Sequence, residues 1–159
     1  MGVRQIPPGC TTKGLKIPPH TRENTARYLM SGIARCGVCG KAVNHRGYTR
    51  YGRRHDLYQC HVKGAHTIGR VTWFVDEWAV EAALESVSAL RKSGKPIPHR
   101  HPLFDLAKIG DSQRAGVFAR LPFRKRREIL KAAGTYEILP QGKGVRLSPA
   151  GLRFTPAEF

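Results

Sequence analysis

A pair of cysteines two residues apart, with a third about twenty residues on, predicts an α+β chain built on a small zinc β-ribbon. Apolar residues recurring at helical spacing between residues 73 and 91 predict that a helix follows the ribbon. Gly- and Pro-punctuated strand patterns after residue 134 then predict, beyond a linker, a second small unit of helix plus β-hairpin.

The ribbon prediction rests on Cys36-Gly37-Val38-Cys39-Gly40, followed by Cys60 and His66. A turn between two such cysteines points both sulfurs into one space, about 2.3 Å from a common zinc ion. Gly37 and Gly40 tolerate positive φ and leave room for backbone N–H groups beside the thiolates. With Cys60 and His66 the set is a closed Cys₃His tetrahedron holding one zinc, structural because no coordination position is left for water. His61, His55 and Cys10 are alternative fourth ligands, since spacing gives no direction. The competing structural reading makes the cysteines small buried hydrophobes, or the pair a redox couple.

Residues 1–27 carry Pro7-Pro8 and Pro18-Pro19 among basic residues without an apolar period, which predicts a disordered or extended basic arm. Residues 28–91 form the ribbon and its helix. Tyr28 to Arg35 is short enough for a strand or one helical turn, and Val43 begins an extended piece. Tyr48 to Tyr51 flanks a hairpin with Gly47 and Gly52 as turn signals, and residues 56–60 are the strand that delivers Cys60. On that strand Leu57 and Gln59 share one face, Tyr58 and Cys60 the other. Thr72 is placed to cap a helix from about Trp73 to Arg91, with Asp76 and Glu77 near its positive end. Val80, Ala83, Leu84, Val87 and Leu90 form its packing stripe, joined by Trp73, Phe74 and Trp78.

Pro96, Pro98 and Pro102 predict an irregular linker over residues 92–117. In the last unit, residues 118–159, Pro122 and Gly134 bracket a helix that contains the basic run Arg124 to Arg127, either solvated or facing phosphate. Thr135 to Leu139 and Val145 to Leu147 read as strands, with Leu152 to Phe154 as a third.

Twenty-eight Lys and Arg against 11 Asp and Glu leave the 159-residue chain with a formal charge of +17. Such an excess calls for a polyanionic partner, and nucleic acid is the default. No apolar run approaches the ~20 residues that span a bilayer, so the expectation is a cytoplasmic, nucleoid-associated protein with no membrane partner. The candidate DNA-binding residues are Arg46, Arg50, Arg53 and Arg54, then Lys63 and Arg70. Arginine suits the role because its planar fork bonds phosphate or guanine through two N–H groups. Tyr48 and Tyr51 read as cross-strand packing, with sugar contact the alternative.

The run Tyr28-Leu29-Met30-Ser31-Gly32-Ile33-Ala34-Arg35-Cys36-Gly37-Val38-Cys39-Gly40 resembles the start of the zinc β-ribbon in large serine recombinases, the phage-type integrases and transposon resolvases. Tyr58-Gln59-Cys60 with His66 is similar to its closing half, and Asp76-Glu77-Trp78-Ala79-Val80 to the helix that comes next. Leu121-Pro122-Phe123-Arg124-Lys125-Arg126-Arg127 and Ile138-Leu139-Pro140-Gln141-Gly142-Lys143-Gly144 resemble the segment that closes many such proteins. The resemblance implies a non-catalytic, DNA-binding part of a site-specific recombinase that contacts attachment-site duplex. Nothing in the chain corresponds to the family's serine-nucleophile domain, so no catalytic residue and no small-molecule substrate are expected, and a separately encoded catalytic chain is the implied partner. The family's coiled coil would be missing or eroded over residues 92–117. Two other readings remain: a zinc-stabilised RNA-binding or protein-adaptor module, and an HNH-like metal nuclease suggested by Asn44-His45 after the cysteine pair.

Overall fold

The computed structural model of the chain describes residues 28–62, 69–140 and 148–158. The basic arm, Cys10, Lys63, His66 and the strand expected at Val145 to Leu147 lie outside the described residues.

The strands are β1 (Arg35–Cys36), β2 (Asn44–Arg50), β3 (Arg53–Gln59), β4 (Gly69–Val71), β5 (Gly134–Ile138) and β6 (Leu152–Pro156). The helices are α1 (Thr72–Ser93), α2 (Phe104–Ala107), α3 (Asp111–Arg120) and α4 (Phe123–Ala133). The predicted α+β class is the one found.

β2, β3 and β4 form an antiparallel sheet in that order. Tyr51 and Gly52 turn the chain between β2 and β3 with φ values of 51° and 71°, the two left-handed residues whose twist matches a two-residue hairpin. Gly47, expected in a turn, sits within β2 opposite Asp56. A side chain there would crowd the Asp56 carboxylate, whose Oδ1 would lie 3.0 Å from its Cβ.

The second sheet has the order β1-β5-β6. β1 runs parallel to β5, pairing Arg35 with Glu137 and Cys36 with Ile138, so the first cysteine and the C-terminal strands share one sheet. One apolar core follows from this. Met30, Val43 and Tyr58 from the ribbon pack with Val75, Ala79, Ala83 and Val87 of α1, with Leu103, Leu106 and Phe118, and with Leu130, Tyr136 and Ile138.

Helix α1 covers the predicted span and ends at Gly94, whose left-handed φ of 67° lets its N–H reach the Arg91 carbonyl. Its start differs from expectation. Thr72 is the first helical residue and is buried, and Val71 takes the cap position without a side-chain bond. The buried stripe is Val75, Ala79, Ala83 and Val87, four residues apart, while Val80, Leu84 and Leu90 line its half-buried margins. Trp78 packs edge-on against Tyr136 at 6.0 Å, but Trp73 is 58% exposed.

The irregular linker expected over residues 92–117 is corrected by α2 and by α3, which runs through its end. Leu103, Leu106 and Phe118 supply the apolar burial that the sequence pattern concealed. Arg114, 1% exposed, donates from Nε to the Leu106 carbonyl at 3.0 Å and from Nη2 to that of Ile109 at 2.8 Å. It thereby adds a charged donor to carbonyls at and just beyond the end of α2.

Helix α4 matches its predicted limits, and its basic run divides by helical direction. Arg127 reaches across to the carbonyls of Tyr28 (3.1 Å), Leu29 (2.6 Å) and Ser31 (2.8 Å). Arg124 and Lys125 stay at the surface against Glu128.

Candidate metal centre and basic ribbon

The loop that carries the first two cysteines is closed by backbone bonds. The Cys36 N–H donates to the Lys41 carbonyl and the Gly40 N–H to the Cys36 carbonyl, each at 2.8 Å. Gly40 takes a φ of 68°, which a side chain would strain. Gly37 is needed for close approach instead. Its N–H donates to the Ile138 carbonyl at 2.9 Å, and a Cβ would collide with the Leu139 side chain. The start of the loop is thus fixed against the end of β5.

Cys60, one residue past β3, brings a third sulfur to this loop. The ligand atoms of Cys36, Cys39 and Cys60 all lie within 4.8 Å of one another, and the Cys39 and Cys60 sulfurs are 3.6 Å apart. That separation is far beyond the ~2.05 Å of a disulfide. It is close to the ~3.8 Å sulfur–sulfur edge of a tetrahedron with zinc–sulfur bonds of ~2.3 Å. Three converging, largely buried thiols can hold a metal ion. A backbone hydrogen bond from Val62 pulls the Cys60 thiol pKa down, but burial and the adjacent Cys39 and Cys36 outweigh it and leave the pKa raised. A bound cation reverses that balance by stabilising the thiolate.

Of the fourth-ligand candidates within the described residues, neither His55 nor His61 joins the three-thiol group. His55 stacks on Tyr48 with ring centroids 5.1 Å apart, and His61 is exposed.

The strand register sorts the candidate DNA-binding residues. Arg46, Tyr48 and Arg50 of β2 share a face with Arg53, His55, Leu57 and Gln59 of β3. On this outer face Arg46, Arg50 and Arg53 are exposed around the Tyr48–His55 stack, and Arg46 Nη1 donates to Gln59 at 3.3 Å. The opposite face carries His45, Gly47, Arg54, Asp56 and Tyr58, with Arg70 opposite Tyr58. Two of the expected DNA contacts therefore stand apart. Arg54 Nε is 3.1 Å from Asp56 Oδ1. Arg70 is 4% exposed and donates to the Leu139 carbonyl at 2.9 Å, so it is a core side chain and not a surface cation. Burial lowers its pKa. The sequence around Arg70 held no sign of this, because β4 is three residues long and the side chain's partner is the carbonyl of residue 139, far along the chain.

His45 Nε2 lies 2.7 Å from Asp56 Oδ1, and the imidazole stacks on Tyr28 at 3.6 Å. The hydrogen bond with His45, reinforced by Arg54, holds the Asp56 pKa below the ordinary carboxylate value against the effect of burial. Deeper in, the Tyr58 hydroxyl donates to Asp76 Oδ1 at 2.6 Å and accepts from the Met30 N–H at 3.0 Å. Burial raises the pKa of Asp76 despite the bonds it accepts from Tyr58 and the backbone of Met30. This network ties ribbon to α1.

No family model, curated protein or solved structure matches the chain. Among the described residues, no helix is long and apolar enough to cross a membrane.

Proposed function

We propose that the chain is the DNA-binding zinc-ribbon module of a serine site-specific recombinase, contacting attachment-site duplex while a separately encoded chain carries the cleavage chemistry. What carries the reading is one ribbon with two ends. Its base gathers Cys36, Cys39 and Cys60, and its outer face displays Arg46, Arg50 and Arg53 without a carboxylate among them.

Cys36, Cys39 and Cys60, with His66 as the fourth ligand, would hold a single structural zinc. The ion would supply folding free energy to a ribbon that is poor in apolar residues, ~10–16 kcal/mol in zinc-finger peptides. A two-stranded ribbon fits the major groove of B-DNA, about 12 Å wide, where arginine forks reach phosphates or guanine edges. The formal charge of +17 supports association with a polyanion. A cytoplasmic, nucleoid-associated location goes with this reading.

The test joins metal to binding. Purified wild type should contain one zinc per chain and Cys36→Ser none. Duplex affinity should fall linearly with salt on logarithmic axes, and Arg46→Ala, Arg50→Ala and Arg53→Ala together should flatten that line by about 0.9 per lost phosphate contact. An unchanged slope would remove the outer face from the proposal. Preference for structured RNA over duplex in competition would favour the RNA-binding alternative. Magnesium-dependent nicking abolished by His45→Ala would favour a nuclease, although His45 is already engaged by Tyr28 and Asp56.

A further inference from the structure

The hairpin tip concentrates three features that each cost the free protein something. Tyr51 is 89% exposed, the most exposed large apolar side chain described. Its φ of 51° is left-handed, a conformation in which two-residue hairpin turns favour Asn, Asp or Gly. Arg50 and Arg53 are directly opposed across the strands beside it, and like charges in that relation repel. An ordinary turn gains nothing from any of these.

A polyanion with flat apolar surfaces would relieve the exposure and the repulsion at once, and the left-handed turn is what holds the ring outward to meet it. The Arg50 guanidinium lies 5.1 Å from the Tyr51 ring centroid, so charge and ring are presented as one unit. The tip is also the end of the ribbon remote from the three thiols, since Arg53 opens β3 and Cys60 follows its close. The base is anchored and the tip is free to project.

Resting on the duplex-binding reading above, we infer that Tyr51 is a base-contacting wedge. The ribbon approaches a groove tip-first, Arg50 and Arg53 bond phosphates on either side, and the Tyr51 ring packs against bases. Apolar and aromatic wedges are a recurrent means of engaging base steps, and aromatic–base contact tolerates many sequences.

The experiment uses the full chain, a fluorescein-labelled mixed-sequence DNA duplex, and anisotropy titrations over a range of salt. Tyr51→Asn should keep or raise the melting temperature, because asparagine accepts the left-handed turn, yet weaken duplex binding by about tenfold or more. Its salt slope should match wild type, since no charge is lost. Tyr51→Phe should retain affinity. Wild-type affinity in Tyr51→Asn would overturn the wedge. A flattened salt slope in Arg50→Ala with Arg53→Ala would show in that case that the duplex reading survives, whereas no duplex binding by wild type would overturn both.

Discussion

Arginine does opposite work in the ribbon and in the helical part of this molecule. On the outer face of β2 and β3, Arg46, Arg50 and Arg53 stand in solvent with no carboxylate opposite them. In the helical part, Arg114 and Arg127 turn inward and donate to backbone carbonyls at the ends of other segments. The ribbon gives Met30, Val43 and Tyr58 to the shared core and gathers three thiols that can hold a metal ion, and the outer face of β2 and β3 is left to charge. The helices supply much of the rest of that core, and they use arginine to donate to backbone carbonyls beside it.

Metal removal should expose this contrast most strongly. If the proposed zinc is bound, chelation or Cys60→Ser should abolish hydrogen-exchange protection across β2 and β3 before α1 and α4 lose theirs, since ligation is worth ~10–16 kcal/mol in zinc-finger peptides. Uniform loss of protection would make the two regions one cooperative unit. That outcome would trace to the pairing of β1 with β5.

Next in size, Arg114→Met and Arg127→Met should each cost about 2–4 kcal/mol in chemical denaturation, because buried carbonyls lose charged donors. Arg127→Lys should recover only part of the loss, one ammonium being unable to span the three carbonyls that the guanidinium reaches.

A smaller effect is expected at Asp76, where the halves meet. Its pKa is raised in the fold, so the native state holds this proton more tightly than the unfolded chain does. Its contribution to stability is therefore full below the ordinary carboxylate range and is lost as pH rises through the raised value. Asp76→Asn keeps an oxygen to accept from Tyr58 and Met30 and should flatten this part of the melting temperature–pH curve. A curve parallel to wild type would place the titration elsewhere. Least of all, Arg53→Ala should shift stability by less than ~0.5 kcal/mol, because it is exposed and unpaired by acid. A larger cost would mean that the outer face is structural.

Much of the candidate site was legible in the sequence. Cys36, Cys39 and Cys60 meet as their spacing implies, because a two-residue turn and a returning strand are local geometry. Helices α1 and α4 were legible for a similar reason, with Gly94 and Gly134 marking their ends. Arg70 was misplaced because an isolated arginine states charge and not burial, while Arg54 stays exposed on the face opposite Arg53. Tyr51 was read as a packing residue. The Tyr-Gly dipeptide between two arginines was the available signal, and only the register showed that the turn leaves the ring outside.

By itself the sequence determined the α+β class, the three-sulfur cluster, the hairpin and the excess of positive charge. All of these depend on residues close together in the chain or on composition. Tertiary structure alone decided that β1 would pair with β5, that Arg70, Arg114 and Arg127 would be held by carbonyls, and that α3 would form where a linker was expected. Those outcomes turn on which polar groups burial leaves in need of a partner, and burial is set by contacts between residues as far apart as Tyr28 and Arg127.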